Sequence, residues 1–233
     1  MLTVELKAGI IPERVVTLDR IMGMDAPKRA LEVALVGAHA IVFLYNSNSQ
    51  AVDLVKAGKR IADKCGIAFH GLAYPACKCG HYACRTSECR CKPASIKRHF
   101  TKLGQRKAQF ELWMDACFVK PAVTNNTPWE TEEVVAERIL AAGRVGTVVG
   151  QPDKEATELL NAWQKHVGNV CNTDSIFRVA QTISRMEGSG NTLKSHHVAE
   201  AIQYQAASLS WLWDSVEPSQ FEVETAHKQQ GKG

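Results

Sequence analysis

Residues 26–44 read APKRALEVALVGAHAIVFL, and this stretch sets the fold class. Within it, Ala30, Leu31, Val33, Ala34 and Leu35 recur at helical spacing, with Lys28, Arg29 and Glu32 on the other side. That pattern predicts an amphipathic helix over 26–36. Asp25 is suited to cap it and Pro27 to sit in its first turn. The short, unbroken apolar run Ala40–Leu44 predicts a strand buried on both faces. The loop Asn46-Ser-Asn-Ser-Gln50 follows, then helical spacing over 52–65 and a second strand over 67–74. Helices alternating with buried strands predict an α/β fold.

Further along, 75–107 is rich in cysteine and basic residues, and 110–123 alternates well enough to predict another strand. The remainder is helical in pattern: 131–142, 153–167, 173–187 (with Ile176, Val179, Ala180 and Ile183 on one face) and 195 to Trp211 or Trp213. The expected organisation is an α/β domain over 1–125 carrying the insert 75–107, a helical domain over 126–215, and a polar tail over 216–233 without fixed structure.

The chain has 233 residues, 45% hydrophobic and 22% charged, which is ordinary for a water-exposed globular protein. No apolar run reaches 18 residues, which argues against a membrane partner. The first residues lack a basic stretch followed by an apolar one, so a cytoplasmic location is expected. The net charge of +4 hides an asymmetry. Residues 78–107 hold Lys78, Arg85, Arg90, Lys92, Lys97, Arg98, Lys102, Arg106 and Lys107 against Glu88 alone, whereas 108–233 is net acidic.

Five of the eight cysteines fall within 77–91, spaced Cys77-x-Cys79-x4-Cys84-x4-Cys89-x-Cys91 with His81 among them. In a chain read as cytoplasmic, such clustering points to a metal or to reduced thiols rather than to a disulfide framework. Structural zinc takes four sulfur or nitrogen ligands in a tetrahedron. Two C-x-C arms, Cys77/Cys79 and Cys89/Cys91, supply four thiolates, and Cys84 and His81 are spares. The alternative is a loop of reduced thiols with no metal.

From Lys92 onward the sequence reads as a helix starting near Ser95, anchored by Ile96, Phe100 and Leu103. So dense a block of positive charge is suited to phosphate contacts, each of which releases counterions. Tyr82, His99 and Phe100 offer stacking faces for unpaired bases. The expected ligand is single-stranded DNA, bound with little sequence preference through Tyr82, Arg85, Arg90, Lys92, Lys97, Arg98, His99, Phe100, Lys102, Arg106 and Lys107. The alternative is a solvated face, or one that meets the acidic half of a neighbouring subunit.

Several segments, in order, resemble the magnesium-chelatase branch of the AAA+ ATPases, particularly its members related to competence helicases. LDRIMGMDAPKRALEVALVGAH (18–39) is similar to the family's lead-in to the nucleotide loop. YPACKCG (74–80) and CRCKPASIKRHFTKLG (89–104) resemble its cysteine-bearing segment and basic helix. SIFRVAQTISRMEGS and HHVAEAIQY, between 175 and 204, resemble its lid helices. The resemblance implies a degenerate AAA+-like α/β domain followed by a helical lid domain.

The parts that hydrolyse ATP are missing from the pattern. A phosphate-binding loop needs glycines, a lysine and a Ser/Thr. The corresponding stretch is Tyr45-Asn-Ser-Asn-Ser-Gln-Ala51-Val52, with none of these where the family has them. Residues 53–73 hold no apolar run ending in paired acids, 105–110 hold no Asp-Arg pair, and Cys171 stands near the expected lid arginine. A protein that is not an enzyme and requires no nucleotide is therefore expected, with structural zinc as the only candidate cofactor. So reduced a relative suits a phage-encoded protein in the host cytoplasm, serving an RNA polymerase or a replication protein. The family's rings imply a homo-oligomer. The competing expectation is a non-catalytic regulatory or scaffold subunit docked on an intact AAA+ ATPase.

Other residues invite simpler readings. His196 and His197 point about 100° apart on a helix, which favours a cap or surface role over a metal pair. Glu130, Glu132 and Glu133 complement a helix N-terminus. Ser184, Ser195 and Ser208 have no triad-like context, and Trp211 and Trp213 suit a core or subunit contact.

Overall fold

The computed structural model describes residues 15–82, 87–104, 109–117, 129–144, 150–167, 173–188 and 192–213. After a 3-10 turn at Leu18–Arg20 come α1 (Asp25–Gly37), β1 (Ile41–Tyr45), α2 (Ala51–Cys65), β2 (Gly71–Pro75), α3 (Pro93–Gly104) and β3 (Leu112–Asp115). Then follow α4 (Glu132–Arg144), β4 (Gln151–Pro152), α5 (Lys154–Val167), α6 (Thr173–Met186), β5 (Thr192–Leu193) and α7 (Ser195–Trp213). The chain is a mixed α/β fold around a small parallel sheet.

That sheet has the order β2-β1-β3, all parallel, with Ile41 opposite Gly71 on one side and Leu112 on the other. Its central strand is buried on both faces, as its unbroken apolar run predicts. Ile41 and Phe43 point into the main cluster, among Leu31, Leu54, Leu112, Ile176 and Val198. Val42 and Leu44 point the other way, to Trp113 and Leu103. Phe43 is wholly buried, which contributes about 1.5–3 kcal/mol. The main cluster runs without a break from α1, α2 and β1 into α4, α6 and α7. The boundary expected near 125 lies outside the described residues, as does the 216–233 tail.

Three expectations need correction. Asp25 does not cap α1: it is the first helical residue, and the N-cap is Met24 in the left-handed region (φ 62°) with no side-chain cap bond. The second strand starts at Gly71 rather than 67, because Ile67 and Phe69 turn into the main cluster instead of extending the ladder. The third covers only Leu112–Asp115 of the range 110–123, of which 118–123 is outside the described residues.

Glu132 does more than complement a dipole. Its carboxylate, 5% exposed, takes Arg60 Nη2 at 2.6 Å and the backbone N–H of Leu18 at 3.3 Å. Lys64 pairs with Glu133 beside it. These contacts fasten α4 to α2 and to the turn before α1.

Candidate functional site

The carboxyl ends of the three strands face one way, so the loops that leave them are neighbours. In parallel sheets this edge, beside the strand where the winding reverses, is where ligands usually bind. Three segments meet there: the β1–α2 loop (46–50), the turn after β2 (76–82), and Ala116-Cys117 after β3. Ala76 N–H donates to Tyr45 O at 2.8 Å, and Ala116 N–H to Leu44 O at 2.7 Å.

Four backbone donors of the β1–α2 loop are already engaged. Backbone N–H groups of Ser47, Asn48, Ser49 and Ala51 donate to Gly80 O, Asn46 Oδ1, Asn46 O and Ser49 Oγ. The Ser49 hydroxyl donates to Ala116 O, and Gln50 Oε1 accepts from Met22 N–H. Asp53 places a negative charge in the first turn of α2, where a phosphate would need positive potential. Asn46 is wholly buried, and its Nδ2 has no partner among the described residues.

Cys77, Cys79, Cys89 and Cys91 come together immediately beside this loop, all four sulfurs within 4.8 Å of one another. Cys77 Sγ lies 3.3 Å from Cys79 Sγ and 3.6 Å from Cys89 Sγ, and Cys79 Sγ lies 3.5 Å from Cys89 Sγ. A tetrahedral zinc with Zn–S bonds of about 2.3 Å implies S···S edges of ~3.8 Å, so these three sulfurs need only spread by a few tenths of an ångström to take the ion. All four are free thiols. Cys84 lies outside the described residues. His81, the other spare, turns its Nδ1 to Ser47 Oγ at 3.0 Å.

Backbone amides converge on the sulfurs. Tyr82 N–H donates to Cys77 Sγ at 3.3 Å, and the N–H groups of His81 and Arg90 donate to Cys79. Cys89 receives the N–H of Cys91, and Cys91 that of Cys79. Gly80, at φ +76°, makes the turn that aims the amides of His81 and Tyr82. The amide of His81, first among several, lowers the Cys79 thiol to about 6, while burial and the neighbouring thiols push Cys89 up to about 12. One thiolate therefore forms readily, and each further one is opposed by its neighbours. A divalent cation removes that opposition, and the donor set suits zinc.

The second arm, Cys89-Arg-Cys91, runs straight into α3, whose first bonds are Ser95 N–H and Ile96 N–H to Lys92 O. Leu103, 2% exposed, packs on the open face of the sheet. His99 stacks on Tyr74 (centroids 4.7 Å apart, 28° between planes), and its Nε2 lies 2.8 Å from Pro75 O. Lys92, Lys97, Arg98 and Lys102 are exposed on the outer side, with Lys78 and Arg90 exposed beside the cysteines. Tyr82 is half-buried. Arg85, Arg106, Lys107 and the side chain of Phe100 lie outside the described residues. Among the expected contact residues, His99 is thus turned towards β2, whereas the described lysines and arginines face solvent.

The basic residues differ from the other arginines whose side chains are described. Arg20, Arg29, Arg60, Arg138 and Arg178 are paired with Asp19, Glu200, Glu132, Glu32 and Glu111, and Arg185 donates to Val36 O. By contrast, Lys78, Arg90, Lys92, Arg98 and Lys102 have no carboxylate partner among the described residues. Among the described residues, Arg98 donates to Ala94 O of its own helix.

A second cluster adds Glu187 to the His196-His197 pair, which the sequence assigns a cap or surface role. Both His196 Nε2 and His197 Nε2 lie 3.0 Å from Glu187 Oε2, although adjacent helical residues diverge. A metal there is disfavoured by a single bond. His197 Nδ1 accepts the backbone N–H of Lys194 at 3.0 Å, so its proton sits on Nε2, the atom a metal would need. The pair instead clamps the start of α7 to the end of α6. A third feature, the buried His39, spans 2.8 Å to Glu111 Oε2 and 2.9 Å to Thr182 Oγ1 at the opposite edge of the sheet. Ser184 reaches Thr192 O and Ser195 reaches Glu155, with no nucleophilic pairing. Side chains of Ser208, Trp211 and Trp213 are outside the described residues.

Compared with models of known protein families and with characterised proteins, the chain matches none.

Proposed function

We propose that this chain is a non-catalytic protein that binds single-stranded DNA through the outer side of α3 and the adjoining cysteine turn, with a structural zinc in the Cys77/Cys79/Cys89/Cys91 quartet. The observation that carries the reading is the contrast in charge pairing. Exposed cations such as Lys78, Arg90, Lys92, Arg98 and Lys102, which have no carboxylate partner among the described residues, are suited to an external polyanion. Their close spacing along one helix and one turn suits successive phosphates of a flexible strand. The β1–α2 loop, with four backbone amides engaged and Asp53 behind it, supports a role without nucleotide turnover. A place in replication or transcription is part of the proposal and rests on the family resemblance alone.

The test is fluorescence anisotropy with a labelled single strand of about 30 nucleotides, and with its duplex, over a salt series. Tight binding to the single strand is expected, with log K falling against log salt at a slope of roughly −3 to −4 for four to six phosphate contacts. The triple variant Lys97→Glu, Arg98→Glu, Lys102→Glu should lose that binding while keeping its circular dichroism. Absence of binding to either form at low salt would overturn the proposal, and the basic face would then be a protein-docking surface.

A further inference from the structure

We infer that metal loading of the cysteine quartet is a switch for the basic helix alone: the ion orders the N-terminal half of α3, and its loss releases that half without unfolding the rest. Only the last step, from helix to DNA affinity, rests on the nucleic-acid reading above.

The inference follows from where each arm belongs. Cys77 is wholly buried, one residue past Ala76, whose N–H is bonded to β1. Cys79 is held by the same turn through Gly80 O, which accepts from Ser47 N–H at 2.7 Å. The first arm is thus an extension of the sheet. Cys89 and Cys91 belong to the other body, continuous through Lys92 with α3. An ion bonded to all four would be the joint between the two.

Beyond that joint, α3 reaches the sheet in its second half, through His99 and Leu103. Lys92, Pro93, Ala94, Lys97 and Arg98 are exposed and Ser95 and Ile96 only half-buried, and among the described residues neither apolar cluster takes in any side chain of the first two turns. Neither buried cluster contains any of the four cysteines. The hydrophobic stabilisation of the domain is therefore independent of the ion. Cys79, Cys89 and Cys91 are partly exposed, which leaves the site open to chelators.

The full chain is prepared with zinc, stripped with a chelator and reloaded with Zn²⁺ or with Mg²⁺. Zinc content is read by atomic emission, backbone exchange by hydrogen–deuterium mass spectrometry, and binding by anisotropy with the single strand. Removal of one zinc per chain should accelerate exchange over 93–99 while the amides of α1, β1 and α6 stay protected. Affinity for the strand should fall about tenfold as the contacts of Lys92, Lys97 and Arg98 are lost. Zn²⁺ should restore both readouts and Mg²⁺ neither. The double variant Cys89→Ser, Cys91→Ser should behave as the stripped protein does.

Equal exchange over 93–99 with and without zinc would overturn the inference. So would a chain that takes up no zinc, or global unfolding on chelation. Exchange that responds to zinc in a protein that never binds the strand would uphold the switch and remove the DNA-binding reading.

Discussion

His99 Nε2 lies 2.8 Å from the carbonyl oxygen of Pro75, the last residue of β2 and two residues before Cys77. One imidazole therefore fixes the middle of α3 to the strand that launches the first cysteine arm. Its ring is stacked on Tyr74, whose hydroxyl donates to His99 O at 3.4 Å.

This arrangement separates two roles for His99. As a tie, its replacement in His99→Ala should lower stability by about 1–2 kcal/mol, from one hydrogen bond and one ring contact. Strand affinity should change less than in Lys97→Glu. As a base-stacking platform it would show the reverse, with affinity reduced by ~1–3 kcal/mol and unchanged melting. Thermal melts and anisotropy on the same preparation decide between them.

Gly37 is required by a side chain two residues away. A Cβ there would stand 2.2 Å from His39 Nε2 and 2.6 Å from Thr182 Oγ1. Gly37→Ala should expel the imidazole from between Glu111 and Thr182 and destabilise the fold by roughly 2–3 kcal/mol. Adding His39→Ala to that variant should cost far less than His39→Ala costs alone, because the two substitutions remove the same contacts. Urea unfolding of the four proteins gives the cycle, and simple additivity would refute the coupling.

Stability should fall as the solution is acidified from about pH 7.5 to about 5.5, the range in which histidines titrate. Burial, with His196 beside it, holds the His197 imidazole below its usual pKa. The unfolded chain takes up that proton near 6.5 while the folded chain resists it, so stability is full above this value and declines below it. Burial favours protonation of Glu187, but its bonds to His196 and His197 outweigh this and depress its pKa. Its contribution is present above the carboxylate range and is lost as pH drops below about 4.3. Melting temperatures across pH, compared with those of His197→Asn, should show the first decline in the parent only. Identical profiles would remove His197 from the account.

What could be read in advance was local. The run 26–44 predicts α1 and β1 to within a residue or two at either end, because amphipathic spacing and an unbroken apolar run are properties of neighbours. The C-x-C arms likewise name the four sulfurs that converge. Contacts between distant segments were not legible. His39 meets partners 72 and 143 residues away, and Arg60 meets Glu132 across 72. Nothing in either local sequence marks its counterpart. The turn of His99 towards Pro75 depends on the register of α3 against the sheet, which no single-segment pattern contains. Convergence of His196 and His197 on Glu187 was missed for a related reason: the angular rule treats side chains as rigid spokes, whereas a carboxylate between them can be reached from both.

The uninterrupted passage from Cys91 through Lys92 into α3 also has a consequence for how this segment tolerates change in length. Each residue of an α-helix advances the rotation by about 100°. One residue inserted inside α3 between Arg98 and His99 would rotate Lys97 and Arg98 by that angle relative to the face that His99 and Leu103 set against the sheet, and would bring them back only after nearly a full turn of additions. The helical part of the segment is thus fixed in angular phase by the seating of His99 and Leu103 on the sheet.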